Sequence, residues 1–189
     1  MTKLAKRLTP EVLYSFIFPL DYHAALRSRD YALVPADSES IDQLRRAHPR
    51  QLSETKAQLM KERAQSADGD CWLIVDGTGR PCGYCHAARA QTVNARINHV
   101  VRVGPSQAYF FDDYVIRKFR GRGLHTFSIA ERARLLRAQG ITEGITTITR
   151  SNAPSLRTYG KFGLRRFETL FYIRWLGRTL RLPRRRSGG

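Results

Sequence analysis

Apolar positions along this chain follow two periods, and the change from one to the other marks its centre. Phe110, Phe111, Tyr114, Val115 and Ile116 are aromatic or β-branched residues in a short run, which predicts a buried strand stopped by Arg117 and Lys118. From Leu124 the spacing becomes helical: Ile129, Ala130, Ala133 and Leu136 share one stripe with Leu124 and Phe127 beside it, and Gly140 marks the stop. Alternating or apolar runs predict further strands at 30–34, 71–75, 81–87, 145–149 and 165–176, with Asp76-Gly77-Thr78-Gly79-Arg80 as a hairpin turn. Three more helices are predicted. One starts at Ser38 or Ser40 and is broken by His48-Pro49, a second is capped by Ser53, and a third is capped by Asn152 with Pro154 in its first turn. Residues 91–107 are too long for a tight turn and contain Ile97, Val100, Val101 and Val103, so they form an extra strand or an ordered excursion that contributes to a binding pocket.

The two ends carry weaker patterns. Val12 to Phe18 follows Lys3, Lys6 and Arg7 as in a signal peptide, but Glu11, Pro19 and Asp21 interrupt it and no small-residue cleavage site follows. Residues 1–29 therefore read as a helical extension capped by Thr9, which packs on the domain, dimerises or lies on a membrane surface. Residues 177–189 show no packing pattern and read as a disordered basic tail.

Composition narrows the class. A chain of 189 residues supports one well-filled core, 42% hydrophobic content is that of a globular protein, and no apolar run approaches the length needed to cross a bilayer. The formal net charge is +17, and residues 150–189 hold 11 Lys or Arg against the single acid Glu168. Such an excess attracts anions, leaving nucleic acid, acidic lipid and phosphate-bearing ligands open as partners, although arginines spread along the whole chain also read as a solvated surface. Three cysteines form no secretory framework and fit a reducing cytoplasm. Cys82-Gly83-Tyr84-Cys85-His86 matches C-x-x-C-H in form, but it lies in the second strand of the predicted hairpin, where haem attachment has no place.

The chemistry converges on Arg120-Gly121-Arg122-Gly123. Two glycines directly ahead of a helix free the backbone and aim unpaired N–H groups at one spot, where the helix dipole adds partial positive charge. That spot suits an anion, most naturally a phosphate, with Arg117, Lys118, Arg120 and Arg122 around it. Neither common nucleotide loop is present, since G-x-x-x-x-G-K-[ST] and G-x-G-x-x-G are both missing.

The run Val115-Ile116-Arg117-Lys118-Phe119-Arg120-Gly121-Arg122-Gly123-Leu124 resembles motif A of the GNAT superfamily, the acetyl-CoA-dependent N-acetyltransferases, whose signature is Q/R-x-x-G-x-G/A after a strand. Lys118 stands in the Q/R position, Gly121 and Gly123 match, and His125 occupies a place where many members carry Gly or Ala. Asn152-Ala153-Pro154-Ser155-Leu156-Arg157-Thr158-Tyr159-Gly160-Lys161-Phe162-Gly163-Leu164 is similar to motif B of the same family. The resemblance covers residues 30–176 and implies a single-domain α/β fold, a mixed, mostly antiparallel sheet of six or seven strands with helices on both faces.

It also implies acetyl-CoA as cosubstrate, no metal, and direct attack of a primary amine on the thioester. N–H groups of Phe119 to Leu124 would hold the pyrophosphate, backbone atoms of Tyr114 to Arg117 the pantetheine arm, and Asn152 and Ser155 further parts of the coenzyme. Tyr159 would be the general acid that protonates the leaving thiolate. For the base, Asp112 and Asp113 are candidates: adjacent in a strand, they point to opposite faces, so only one can meet the cleft, where a raised pKa would suit a base, while the other reading is a carboxylate paired with an arginine. His86 and His125 are weaker candidates. The acceptor is open among small amines, amino sugars, proteins and RNA-linked amines, the charge tilting it toward an anionic one, and a homodimer is open too. The rival readings are a basic nucleic-acid-binding protein and a peripheral membrane protein on the same fold.

Overall fold

The computed structural model describes residues 9–21 and 30–183. In chain order these form β1 (Glu11–Pro19), β2 (Tyr31–Pro35), α1 (Ser38–Ala47), α2 (Glu54–Ala64), β3 (Gly69–Asp76), β4 (Pro81–Ala88), β5 (Thr92–Asn94), β6 (His99–Val101), β7 (Gln107–Val115), α3 (Leu124–Arg137), β8 (Glu143–Thr149), α4 (Ala153–Gly160), β9 (Arg165–Ile173) and β10 (Arg178–Pro183). Eight strands make one sheet in the order β10-β9-β1-β8-β7-β4-β3-β2, and β5 pairs with β6 apart from it. Every neighbouring pair in the large sheet is antiparallel except β7 and β8.

Two end segments differ from the sequence reading. Residues 11–19 are not a helix on the surface but a strand between β8 and β9, with backbone partners on both sides. Val12, Tyr14, Phe16, Ile17 and Phe18 suit a pleated surface better than a helix. The alternation is hidden because the register with β9 shifts between Ser15 and Phe16, so the buried positions fall at Leu13, Ser15 and Phe18. A strand inside the sheet cannot also be a membrane-surface helix. Residues 178–183, expected in the disordered tail, form edge strand β10 on β9. Its Leu180 and Leu182 stay exposed, so backbone pairing rather than side-chain burial holds it, and the apolar pattern carries no trace of it. The remainder of both terminal predictions, residues 1–8, 22–29 and 184–189, lies outside the described residues.

The helices start where backbone donors find side-chain acceptors. Asp37, not Ser38 or Ser40, caps α1, accepting from the Ser40 amide while the Ser40 hydroxyl accepts from the Asp37 amide. Ser53 caps α2 and Asn152 caps α4. α1 and α2 bury Ile41, Leu44, Ala57 and Met60 against Cys71 and Leu73, whereas α3 buries Ile129, Ala133 and Leu136 against Trp72, Cys85 and Phe110 of the opposite face. Each such large side chain contributes about 1.5–3 kcal/mol on burial, which fixes the start of α3 beside the end of β7.

The central gap comes from the one parallel pair. β7 and β8 are in register only from Gln107 opposite Glu143 to Phe110 opposite Thr146, and beyond that they separate. Two residues further on, β7 carries a bulge against β4: the register slips between Tyr84 and His86, and Asp112 takes φ +56°. A bulge bends its strand, and aspartate is one of the few residues that enters the left-handed region at modest cost. Residues 111–115 and 147–149 are thus left without partners across the opening.

Candidate active site

A cleft of about 880 Å³ occupies this opening, a volume typical of a small-ligand site. One wall is the turn before α3. Gly121 and Gly123 adopt φ +79° and +77°, a conformation costly for any residue with a Cβ. Alone among the four described helices, α3 has no side-chain cap, because its N-cap is Gly123. Among the described residues none accepts a hydrogen bond from the amides of Gly121 through Thr126, whereas the Phe119 and Arg120 amides are spent on the carbonyls of Ile116 and Arg117. Six successive donors are therefore unspent at the positive end of the helix dipole, and all of them except the Arg122 amide belong to residues that line the cleft.

Beyond them lies a buried charge cluster. Arg132, fully buried inside α3, donates to Asp113 Oδ2 at 2.6 Å, to the His86 carbonyl at 2.6 Å and to the Ser128 carbonyl at 3.1 Å. Tyr159 donates its hydroxyl proton to the same Asp113 oxygen at 3.1 Å. His125 Nε2 stands 3.4 Å from it, and the ring meets Tyr159 edge to face at 5.5 Å. Burial by itself would raise the pKa of Asp113, but the Arg132 guanidinium and His125 outweigh it and hold the carboxyl well below the usual range. Burial, reinforced by the Asp113 charge, pushes the Tyr159 phenol upward, so it stays protonated at physiological pH.

Asp112 projects to the other face of the sheet, where Lys56 and Arg63 of α2 both pair with its Oδ2. His86 Nδ1 lies 3.3 Å from the Asp112 carbonyl. A carbonyl only accepts, so Nδ1 carries the proton and Nε2 is a bare lone pair, which finds no partner among the described residues. Burial lowers the His86 pKa to about 4. Between pH 6.5 and 4 the unfolded chain takes up a proton that the folded one refuses, so stability falls as pH drops through that window, by roughly 3 kcal/mol from this group. Urea midpoints at pH 7 and pH 4 should therefore differ less for His86→Gln than for the parent; an equal difference would remove His86 as the cause.

No curated protein matches the chain closely enough to count as a relative. The model of the Acetyltransferase (GNAT) family matches residues 38–164, more than half of the sequence. The chain belongs to this family. Solved structures share the GNAT fold at low identity. A conserved protein of unknown function from Staphylococcus epidermidis is 13% identical with a TM-score of 0.57, over 85% of this chain and 60% of its own. A putative GNAT-family acetyltransferase from Novosphingobium aromaticivorans is 17% identical with a TM-score of 0.55, over 86% and 62%. AAC(6')-Iy, in complex with the bisubstrate analogue CoA-S-monomethyl-acetylneamine, is 18% identical with a TM-score of 0.55, over 70% and 89%. The chain thus spans about three fifths of the length of the first two.

Within this GNAT chain the expected site residues divide sharply. Val115, Phe119, Arg120, Gly121, Gly123 and Leu124 line the cleft, as do Asn152, Ser155, Tyr159 and both aspartates. Ile116 does not: its side chain is buried and its amide is spent on Cys82. The Arg117 amide is taken by the Gln51 side chain, and Lys118 and Arg122 turn onto the ring of Phe119. Arg120 returns its Nε–H to the Val115 carbonyl, so that part of the strand end is occupied by the protein itself. The Asn152 side-chain oxygen caps α4 through the Ser155 amide. The raised carboxylate expected of a base is not met at Asp113, which Arg132 neutralises.

Lys56, Arg63 and Arg132 went unnoticed in the sequence. For Arg132 a signal existed, a charged residue on the apolar stripe between Ile129 and Leu136. For the two α2 residues none did, because a bulge decides which side chain they meet. Among the described residues, no group of three His, Cys, Asp or Glu is placed to hold a metal ion, and no helix is long and apolar enough to cross a membrane.

Proposed function

We propose that this acetyltransferase moves an acetyl group from acetyl-CoA to a primary amine by direct attack on the thioester. The observation that carries this reading is the row of six unspent amides from Gly121 to Thr126 at the start of an uncapped helix, opening onto a gap between two parallel strands. Amides so arranged suit a diphosphate, and the unpaired edges of β7 and β8 suit an extended amide-bearing arm. Asn152 and Ser155 of α4 line the same wall.

Transfer forms an N–C bond, breaks a C–S bond, removes a proton from the amine and supplies one to the departing thiolate. Tyr159 is the donor we assign, since its phenol keeps its proton and borders the cleft. Its hydroxyl hydrogen now points at Asp113 and turns by rotation about the C–O bond. Asp113, neutralised by Arg132, orients the phenol and takes no part as base. Three free, buried cysteines fit a reducing cytoplasm.

The reading is tested by calorimetric titration with acetyl-CoA followed by thiol release against a panel of amines. Tyr159→Phe is expected to bind acetyl-CoA like the parent and to lose about 100-fold or more in kcat. Unchanged kcat would dismiss the phenol as donor, and failure of the parent to bind acetyl-CoA would dismiss the transfer reading.

A further inference from the structure

Asp112 and Asp113 point to opposite faces of the sheet, so the cleft runs through the sheet rather than along it. One mouth holds the amide row and Tyr159. The other is bordered by α2 and by the β5–β6 excursion, and its charges do not cancel. Lys56 and Arg63 share the single carboxylate of Asp112, which leaves one positive charge over. The third cation there, Arg96, is committed to Glu11 and the Thr149 hydroxyl. Arg63 spends one N–H on Asp112 while its guanidinium lies 4.9 Å from the centre of the Phe111 ring. Its other four N–H groups meet no acceptor among the described residues and lie in one plane. Apolar surface flanks it, with Leu59 38% and Val93 57% exposed.

We propose that this mouth binds an amine bearing a carboxylate or phosphate a few bonds from its nitrogen, with the anion on Arg63 and Lys56 and the nitrogen drawn toward Asp112. A purely cationic amine meets two like charges on its way in, and a neutral one leaves the surplus donors unused. An amphoteric ligand satisfies both sides of the cluster at once. The inference deepens the acetyl-transfer reading by naming the acceptor class, and it rests on that reading only in calling the ligand an acceptor.

Equilibrium binding to the whole protein decides it, whether or not turnover is seen. The probes are two matched pairs, O-phosphoethanolamine with ethanolamine and L-leucine with L-leucinamide. At least one anionic member should bind about tenfold or more tighter than its neutral-tailed partner, as expected of charge-assisted hydrogen bonds, and the pair that shows it identifies the anion. Arg63→Gln, and independently Lys56→Met, should shrink that ratio to about threefold or less with acetyl-CoA affinity unchanged. Both variants replace side chains that are 24% (Lys56) and 26% (Arg63) exposed, and thermal melting verifies that they fold. Equal binding within both pairs overturns the proposal, as does a preference that survives both substitutions. A parent that discriminates between the probes but binds no acetyl-CoA would sink the transfer reading and leave this site standing.

Discussion

Replacing Gly121 and Gly123 together by glutamate is expected to lower acetyl-CoA affinity by at least about 100-fold while the sheet stays folded. A Cβ at either position meets nothing within 4 Å, so the loss is not a clash. It arises from the backbone: both residues sit near φ +78°, where a side chain costs about 1–2 kcal/mol per residue, and relaxation of that strain displaces the amides of 121–126. Two carboxylates at the end of a helix that attracts anions then oppose the diphosphate directly. Gly123→Asn separates the two causes, because asparagine tolerates the left-handed region and is neutral; it should retain all but about tenfold of the affinity. Calorimetry gives the dissociation constants and circular dichroism verifies the fold. If the double variant binds within about threefold of the parent, the amide row does not hold the coenzyme.

The glycines were legible because their constraint is local. A left-handed turn before a helix needs glycine whatever surrounds it, whereas Tyr159 stood out only through the resemblance of residues 152–164 to motif B, since a phenol on a short helix is otherwise an ordinary core residue. The reading failed where the cause is non-local. Residues 11–19 form a strand because β8 and β9, more than a hundred residues away, offer backbone partners, and a register slip at Ser15 disguises its alternation. β10 is held by backbone pairing that leaves no mark on side-chain pattern. The amides of Phe119 and Arg120 looked available in sequence but close a short 3-10 turn, which moves the donor row two residues onward to end at Thr126. The two aspartates were correctly assigned to opposite faces, yet only the fold reveals that Asp113 meets a buried arginine and Asp112 a pair of cations from α2.

Arg132→Met is expected to destabilise the protein by about 3–5 kcal/mol, a fall in Tm on the order of 10 °C. The cost is not the lost pair itself. A buried ion pair roughly offsets its own desolvation, whereas deleting one member strands the other, and Asp113, whose side chain is only 12% exposed, would keep the Tyr159 hydroxyl and His125 as neighbours. The carbonyls of His86 and Ser128 lose their donors as well. If the stranded charge dominates, Arg132→Met/Asp113→Asn recovers at least half of the loss, since an amide oxygen still accepts from Tyr159 without carrying charge. The acid side gives an independent measure. In the parent, Asp113 contributes stability above its ordinary value of 3.8 that is lost as pH falls toward about 2. In Arg132→Met no such contribution exists, so the gap between parent and variant should narrow as pH drops from 4 to 2. A gap that is constant with pH, together with a double variant no more stable than the single one, would assign the loss to packing around Phe110, whose ring lies 4.5 Å from the guanidinium, rather than to charge.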